Sequence, residues 1–130
     1  MGIFVTAFDH VNITIRTSDE EAAKHFYGTT MGLTEVPKPE STRGRGGAWY
    51  QLGPVQLHVS REEGVDNQLA KRHFCLLVAD LSAAERHLRN AGVEILPDER
   101  PISGTRRFYV RDPGGNLIEI AQARVMSDEV

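Results

Sequence analysis

The chain holds one cysteine, Cys75, in 130 residues. No intrachain disulfide can form, which suits a reducing cytoplasm, and paired-cysteine metal motifs are excluded. No apolar run approaches the roughly 20 residues that a membrane span requires, so no membrane partner is expected. There is no basic excess either. Lys and Arg number 15 against 18 Asp and Glu, a net charge of -3, and a nucleic-acid partner is not expected on that ground. The start Met1-Gly2-Ile3-Phe4-Val5-Thr6 lacks the charged and apolar segments of a secretory signal. It fits the formal pattern for myristoylation, yet the same residues lead straight into a strand. A Ser-His-Asp order and a phosphate-binding glycine loop are also missing. Gly44-Arg45-Gly46-Gly47 has the flexibility of such a loop without the strand before it or the helix after it.

What is present is an ordinary globular composition, 40% hydrophobic and 25% charged, over a length that suits one domain, residues 1–130. Residues 8–60 and 71–122 read as two copies of one pattern. Each opens on an alternating strand, from Phe8 to Ile15 and from His73 to Val78. Each continues with a capping signal, Ser18-Asp19-Glu20-Glu21 and Ser82-Ala83-Ala84-Glu85, that predicts a helix start. Each helix stops at glycine, Gly32 or Gly92. Short strands are expected near 33–37 and 93–96, closed by Pro37 and Pro97. A hairpin ends each copy: Ala48–Leu52 with Val55–Val59 around Gly53-Pro54, and Arg107–Arg111 with Leu117–Ala121 around Asp112-Pro113-Gly114-Gly115-Asn116. The fold class is therefore α+β, two βαβββ repeats sharing a curved sheet. Residues 61–70 are the expected linker and 123–130 a polar tail.

The repeat carries metal-capable side chains in register. His10 and His73 lie 63 residues apart, His58 and Glu119 61, against 60 for Gly32 and Gly92. Each half thus places one such residue on its first strand and one on its last. Strand parity puts His10 with Asn12 and Thr14, His58 with Gln56, His73 with Cys75, and Glu119 opposite Ile118 and Ile120. A carboxylate in Leu117-Ile118-Glu119-Ile120-Ala121 is costly unless a cation pairs with it. Three imidazoles and a carboxylate suit Zn, Ni, Co, Mn or Fe(II), with positions left for a small-molecule substrate. Packed or solvent-facing strand histidines are the alternative, and spacing alone leaves both readings open. His25 and His87 read as solvated or half-packed helix residues, and Cys75 as a buried, inert thiol. Arg107 and Tyr109 alternate away from Phe108 and Val110. Arg107, or Arg43 and Arg45 on the 38–47 loop, could pair with an anionic substrate or simply be solvated.

With these residues the sequence resembles the vicinal oxygen chelate superfamily, which holds glyoxalase I, methylmalonyl-CoA epimerase, fosfomycin thiol transferases, bleomycin-resistance proteins and extradiol dioxygenases. The marks are Asp9-His10-Val11, Gly32-Leu33, His73-Phe74 and the run from Phe108 to Glu119. The resemblance covers residues 8–122 and implies a glyoxalase-like cup of mixed sheet. It places the family's metal positions on His10, His73 and Glu119. A fourth, glutamate in bacterial glyoxalase I, falls on His58, so Glu119 is left as the obvious base. Asn12, Trp49, Gln51, Gln56 and Tyr109 match cup-facing, substrate-binding positions. The resemblance also implies a homodimer in which His10 and His58 of one subunit meet His73 and Glu119 of the other. Three activities follow: a metal-dependent lyase or isomerase, an Fe(II) ring-cleaving dioxygenase, or an antibiotic-binding protein, thiol transfer to a drug included.

Overall fold

The computed structural model describes residues 2–124; Met1 of the myristoylation pattern and residues 125–130 of the expected tail lie outside the described residues. The elements are β1 (His10–Ile15), a first helix α1 (Glu20–Lys24) widened into a π turn over His25–Thr30, β2 (Thr34–Val36), β3 (Ala48–Leu52), β4 (Val55–Arg61), β5 (His73–Val78), α2 (Leu81–Asn90), β6 (Arg107–Arg111) and β7 (Leu117–Gln122). They form two sheets, β1-β4-β3-β2 and β5-β7-β6. In each the repeat's first strand runs parallel to its last (β1 with β4, β5 with β7), and the hairpin pairs antiparallel.

Alternation decides the faces. β1 turns Val11, Ile13 and Ile15 inward, and β7 does so with Ile118 and Ile120. Ile15, Tyr27, Tyr50, Val110, Ile118 and Ile120 are almost wholly buried, and the core lies between the sheets and the helices. Both helices end at a glycine of positive φ, Gly32 and Gly92. After α2 the Val93 N–H returns to the Leu88 carbonyl and Gly92 to that of Arg89, which satisfies the last free carbonyls. Among the described residues no helix is long and apolar enough to cross a membrane.

Several local expectations differ from the structure. At the first helix no side chain makes a cap hydrogen bond, so the Ser18 capping signal is not realised, and Glu40–Arg45 in the 38–47 loop winds into a 3-10 helix. β1 begins at His10, and Phe8 is 77% exposed. The cap of α2 is Asp80, whose Oδ1 accepts from Ala83 N at 3.0 Å; Ser82 lies within the helix. The strand expected at 93–96 is reduced to one bridge, Leu96 with Tyr109.

The Asp112-Pro113-Gly114-Gly115-Asn116 turn fastens the two repeats together. Buried Asp112 accepts from Tyr27 Oη at 2.6 Å, from Asn116 N at 2.8 Å and from Asn116 Nδ2 at 3.1 Å. Asn116 Nδ2 also donates to the Thr14 carbonyl at 3.0 Å. A Cβ on Gly114 would stand 2.3 Å from Ile15 Cγ2, so only glycine fits. The linker is anchored as well. Asn67, 2% exposed, donates to the carbonyls of Thr14 and Gly114.

Candidate metal centre

All the sequence-predicted site residues lie on the sheet faces turned away from the helices. On the first sheet they occupy two adjacent rungs. His10, Gln56 and Gln51 form one, and Asn12, His58 and Trp49 the other. On the second sheet Glu119 lies between Cys75 and Tyr109, with Leu77, Ala121 and Arg107 on the next rung and His73, Leu117 and Arg111 on the other side. Strand parity alone makes this arrangement. Residues of one face that share a rung stand about 5 Å apart.

The structure gathers the four candidate ligands as two pairs. The His10 and His58 rings stack at 4.3 Å between centroids, and the far face of His58 stacks on Trp49 at 3.8 Å, tilted by 2°. His73 Nε2 meets Glu119 Oε1 at 3.2 Å. Among the described residues of one chain, no three His, Cys, Asp or Glu side chains come close enough to share an ion.

Each histidine has a particular partner. His10 Nδ1 faces the Asp9 carboxylate at 2.8 Å, and His73 Nδ1 the Lys71 carbonyl at 3.0 Å. In His10 this leaves Nε2 for other use, and in His73 it turns Nε2 toward Glu119. Such pairing to a carboxylate or carbonyl is how a metal-binding imidazole is oriented. His58 is the reverse, with Nε2 on Gln56 Oε1 at 2.9 Å. Burial, then the nearby His10, pushes its pKa down, so the ring is neutral at neutral pH.

The donor set fits a divalent ion. Both ring nitrogens of His73 face acceptors, and a neutral imidazole has one N–H to give. The second contact closes only with one more proton, or a metal ion, between His73 Nε2 and Glu119 Oε1. On the other side of Glu119, Arg107 Nη1 reaches Oε2 at 3.5 Å. Asp98 holds that guanidinium through Nε at 2.9 Å and Nη2 at 3.4 Å. Tyr109 stands edge-on to His73, with ring centroids 5.6 Å apart. Burial first, and the Glu119 charge next, raise the Tyr109 pKa, so the phenol keeps its proton.

The profile of the Glyoxalase/Bleomycin resistance protein/Dioxygenase superfamily matches residues 7–120. The chain belongs to this glyoxalase superfamily. A solved structure from Bacillus anthracis, described as of the glyoxalase family, is 33% identical, with 95% of this chain and 100% of that chain covered and a TM-score of 0.85. Glyoxalase domain-containing protein RDO1 of Mycosarcoma maydis is 27% identical over 90% of this chain and 68% of its own. Mitochondrial methylmalonyl-CoA epimerase of Mus musculus is 26% identical over 86% of this chain and 71% of its own. The α+β class read from the repeat and the glyoxalase-like fold implied by the resemblance are thus present. Sequence reasoning missed Asp98, which lies in the 97–105 loop without a pattern to mark it. It also missed the orienting roles of Asp9 and the Lys71 carbonyl, though Asp9 directly precedes His10.

Proposed function

We propose that the chain is a metal-dependent enzyme of lyase or isomerase type, acting on a small substrate with two neighbouring oxygens, and that two copies build its sites. The observation that carries this reading is His73 held between two acceptors, one of them Glu119. His73, Glu119 and His10 would hold the ion, and His58 stacks beside His10. A divalent ion such as Zn, Ni, Co, Mn or Fe supplies Lewis acidity toward paired substrate oxygens. Glu119 is the carboxylate placed to take a proton from substrate and return it. Arg107 fixes the second oxygen of that carboxylate, and the Tyr109 hydroxyl offers a hydrogen bond to a substrate oxygen. Asn12 and Trp49 supply the opposite wall. That one relative is named an epimerase, which is an isomerase, agrees with this class of reaction.

The division of the ligands between two sheets supports a homodimer. A second copy can bring its His73 and Glu119 to the His10 and His58 of the first. Phe8 and Leu77, 77% and 67% exposed next to these residues, are apolar surface for such a contact. The lone Cys75 agrees with a cytoplasmic site of action.

Elemental analysis of untagged protein, with a screen of isomerase and lyase substrates, tests the reading. About one Zn, Ni, Co or Mn per chain and chelator-sensitive turnover are expected. No metal uptake at all overturns it, and tight drug binding unaffected by chelator replaces it with a binding protein. Iron with oxygen-dependent ring cleavage replaces it with a dioxygenase.

A further inference from the structure

His58 lies at the end of a chain of amides whose direction is fixed by the backbone. The Gly53 carbonyl can only accept, so the Gln51 group that meets it at 2.7 Å is the amide nitrogen. Gln51 therefore presents its Oε1 to Gln56, which donates from Nε2 at 3.0 Å. Gln56 in turn presents its own Oε1 to His58 Nε2 at 2.9 Å. An amide oxygen has no proton to give, so the proton on this contact belongs to the imidazole. Trp49 at 3.8 Å and His10 at 4.3 Å cover the two ring faces. A ring flip would keep the ring in the plane of both stacks and would break the Gln56 bond. His10 and His73 have the opposite arrangement, with Nδ1 on the acceptor.

We propose that Gln51 and Gln56 are positioning residues that lock His58 as the Nε2–H tautomer, so that its Nε2 is a hydrogen-bond donor and stays outside a metal's coordination shell. The ring's remaining lone pair is on Nδ1. The glutamines are then part of the site's scaffold, because their amides are already engaged with each other and with His58. The metal arm of this inference rests on the proposed function; the tautomer arm does not.

Nitrogen-15 NMR of the histidine rings in the full-length, metal-free protein at pH 8 reads the tautomer directly. His58 is assigned by the signal lost in His58→Gln. The wild type is expected to show a protonated Nε2 and an unprotonated Nδ1 at about nine rings in ten or more. Gln56→Leu should give a mixture of tautomers, and Gln56→Glu, which keeps an acceptor, should restore the wild-type pattern. Should Gln56→Leu not fold, Gln51→Leu releases the Gln56 amide and should shift the same balance. Zinc should move the Nε2 signals of His10 and His73 and leave that of His58 protonated. A protonated Nδ1 on wild-type His58, a tautomer unchanged in both leucine variants, or a zinc-shifted, unprotonated His58 Nε2 overturns the proposal. A protein that takes up no zinc defeats the metal reading, while the metal-free spectra still decide the relay.

Discussion

His73 and Glu119 stand on neighbouring parallel strands, two residues out of register, with Nε2 and Oε1 3.2 Å apart. His73 pairs with Leu117 across the rung, so the imidazole reaches diagonally to the carboxylate. On the proposed function, this pair, set by sheet geometry, is half of the metal's ligand set. Glu119→Gln keeps the shape and removes the charge. Zinc affinity by calorimetric titration should fall by more than the roughly 10–100-fold typical of an orienting residue. An affinity unchanged by the substitution would remove Glu119 from the ligand set.

Two buried tyrosines should respond oppositely to loss of their hydroxyls. Tyr27 Oη donates to Asp112 at 2.6 Å, whereas buried Tyr50 Oη has no hydrogen-bond partner among the described residues. Tyr27→Phe should cost about 1–3 kcal/mol, and Tyr50→Phe should be neutral or stabilising by up to about 1 kcal/mol. Urea unfolding of the two variants checks this, and equal losses would contradict it.

Asp112 gives stability a pH dependence of definite sign. Burial raises its pKa, outweighing the bonds from Tyr27 and Asn116 that lower it. Between the unfolded value of about 3.9 and the higher folded value, the native state holds more protons than the unfolded one. The contribution of this group is therefore present in acid and is lost as pH rises through the folded pKa. Asp112→Asn removes that slope. The stability advantage of wild type over the variant should shrink from pH 4 to 7. An advantage that grows over this range would show that the hydrogen bonds outweigh burial.

The repeat made much of this legible from sequence. Gly32 and Gly92 ended the helices as read, the two hairpins turned where Gly53 and Asp112 to Asn116 stand, and parity put each candidate residue on the face of its own sheet turned from the helices. Parity says nothing of where one sheet stands against another. The separation of His10 and His58 from His73 and Glu119 within a chain was therefore invisible to it. The Asp112 run, prominent as a motif, is a clamp on Tyr27 and Thr14 and belongs to the core. The Asp98 grip on Arg107 depends on how an irregular loop folds back, and no periodicity encodes that.

Cys75 should react slowly although its residue is exposed. Local burial first, and the Glu119 charge next, push its thiol up to about 11. At pH 8 that leaves about 0.1% thiolate, against roughly a quarter for an ordinary thiol of pKa near 8.5. Reaction of metal-free protein with an aromatic disulfide reagent should be about 100-fold slower than that of a free thiol. Glu119→Gln should speed it up. A rate equal to that of a free thiol would mean that the thiol is not perturbed.

The division of the ligands between subunits can be tested by mixing two defective proteins. His10→Ala damages the first half of a site and Glu119→Ala the second. If the site lies within one chain, every site in any mixture carries a lesion, and metal binding stays lost. If each site takes its first half from one subunit and its second from the partner, a mixed dimer holds one doubly damaged site and one intact site. Random reassembly makes half of the dimers mixed, so about a quarter of all sites should be whole. Mixing after partial unfolding, followed by metal analysis and turnover, should recover about a quarter of the wild-type signal. Recovery near zero, with mixed dimers shown by native mass spectrometry, would place each site within a single chain.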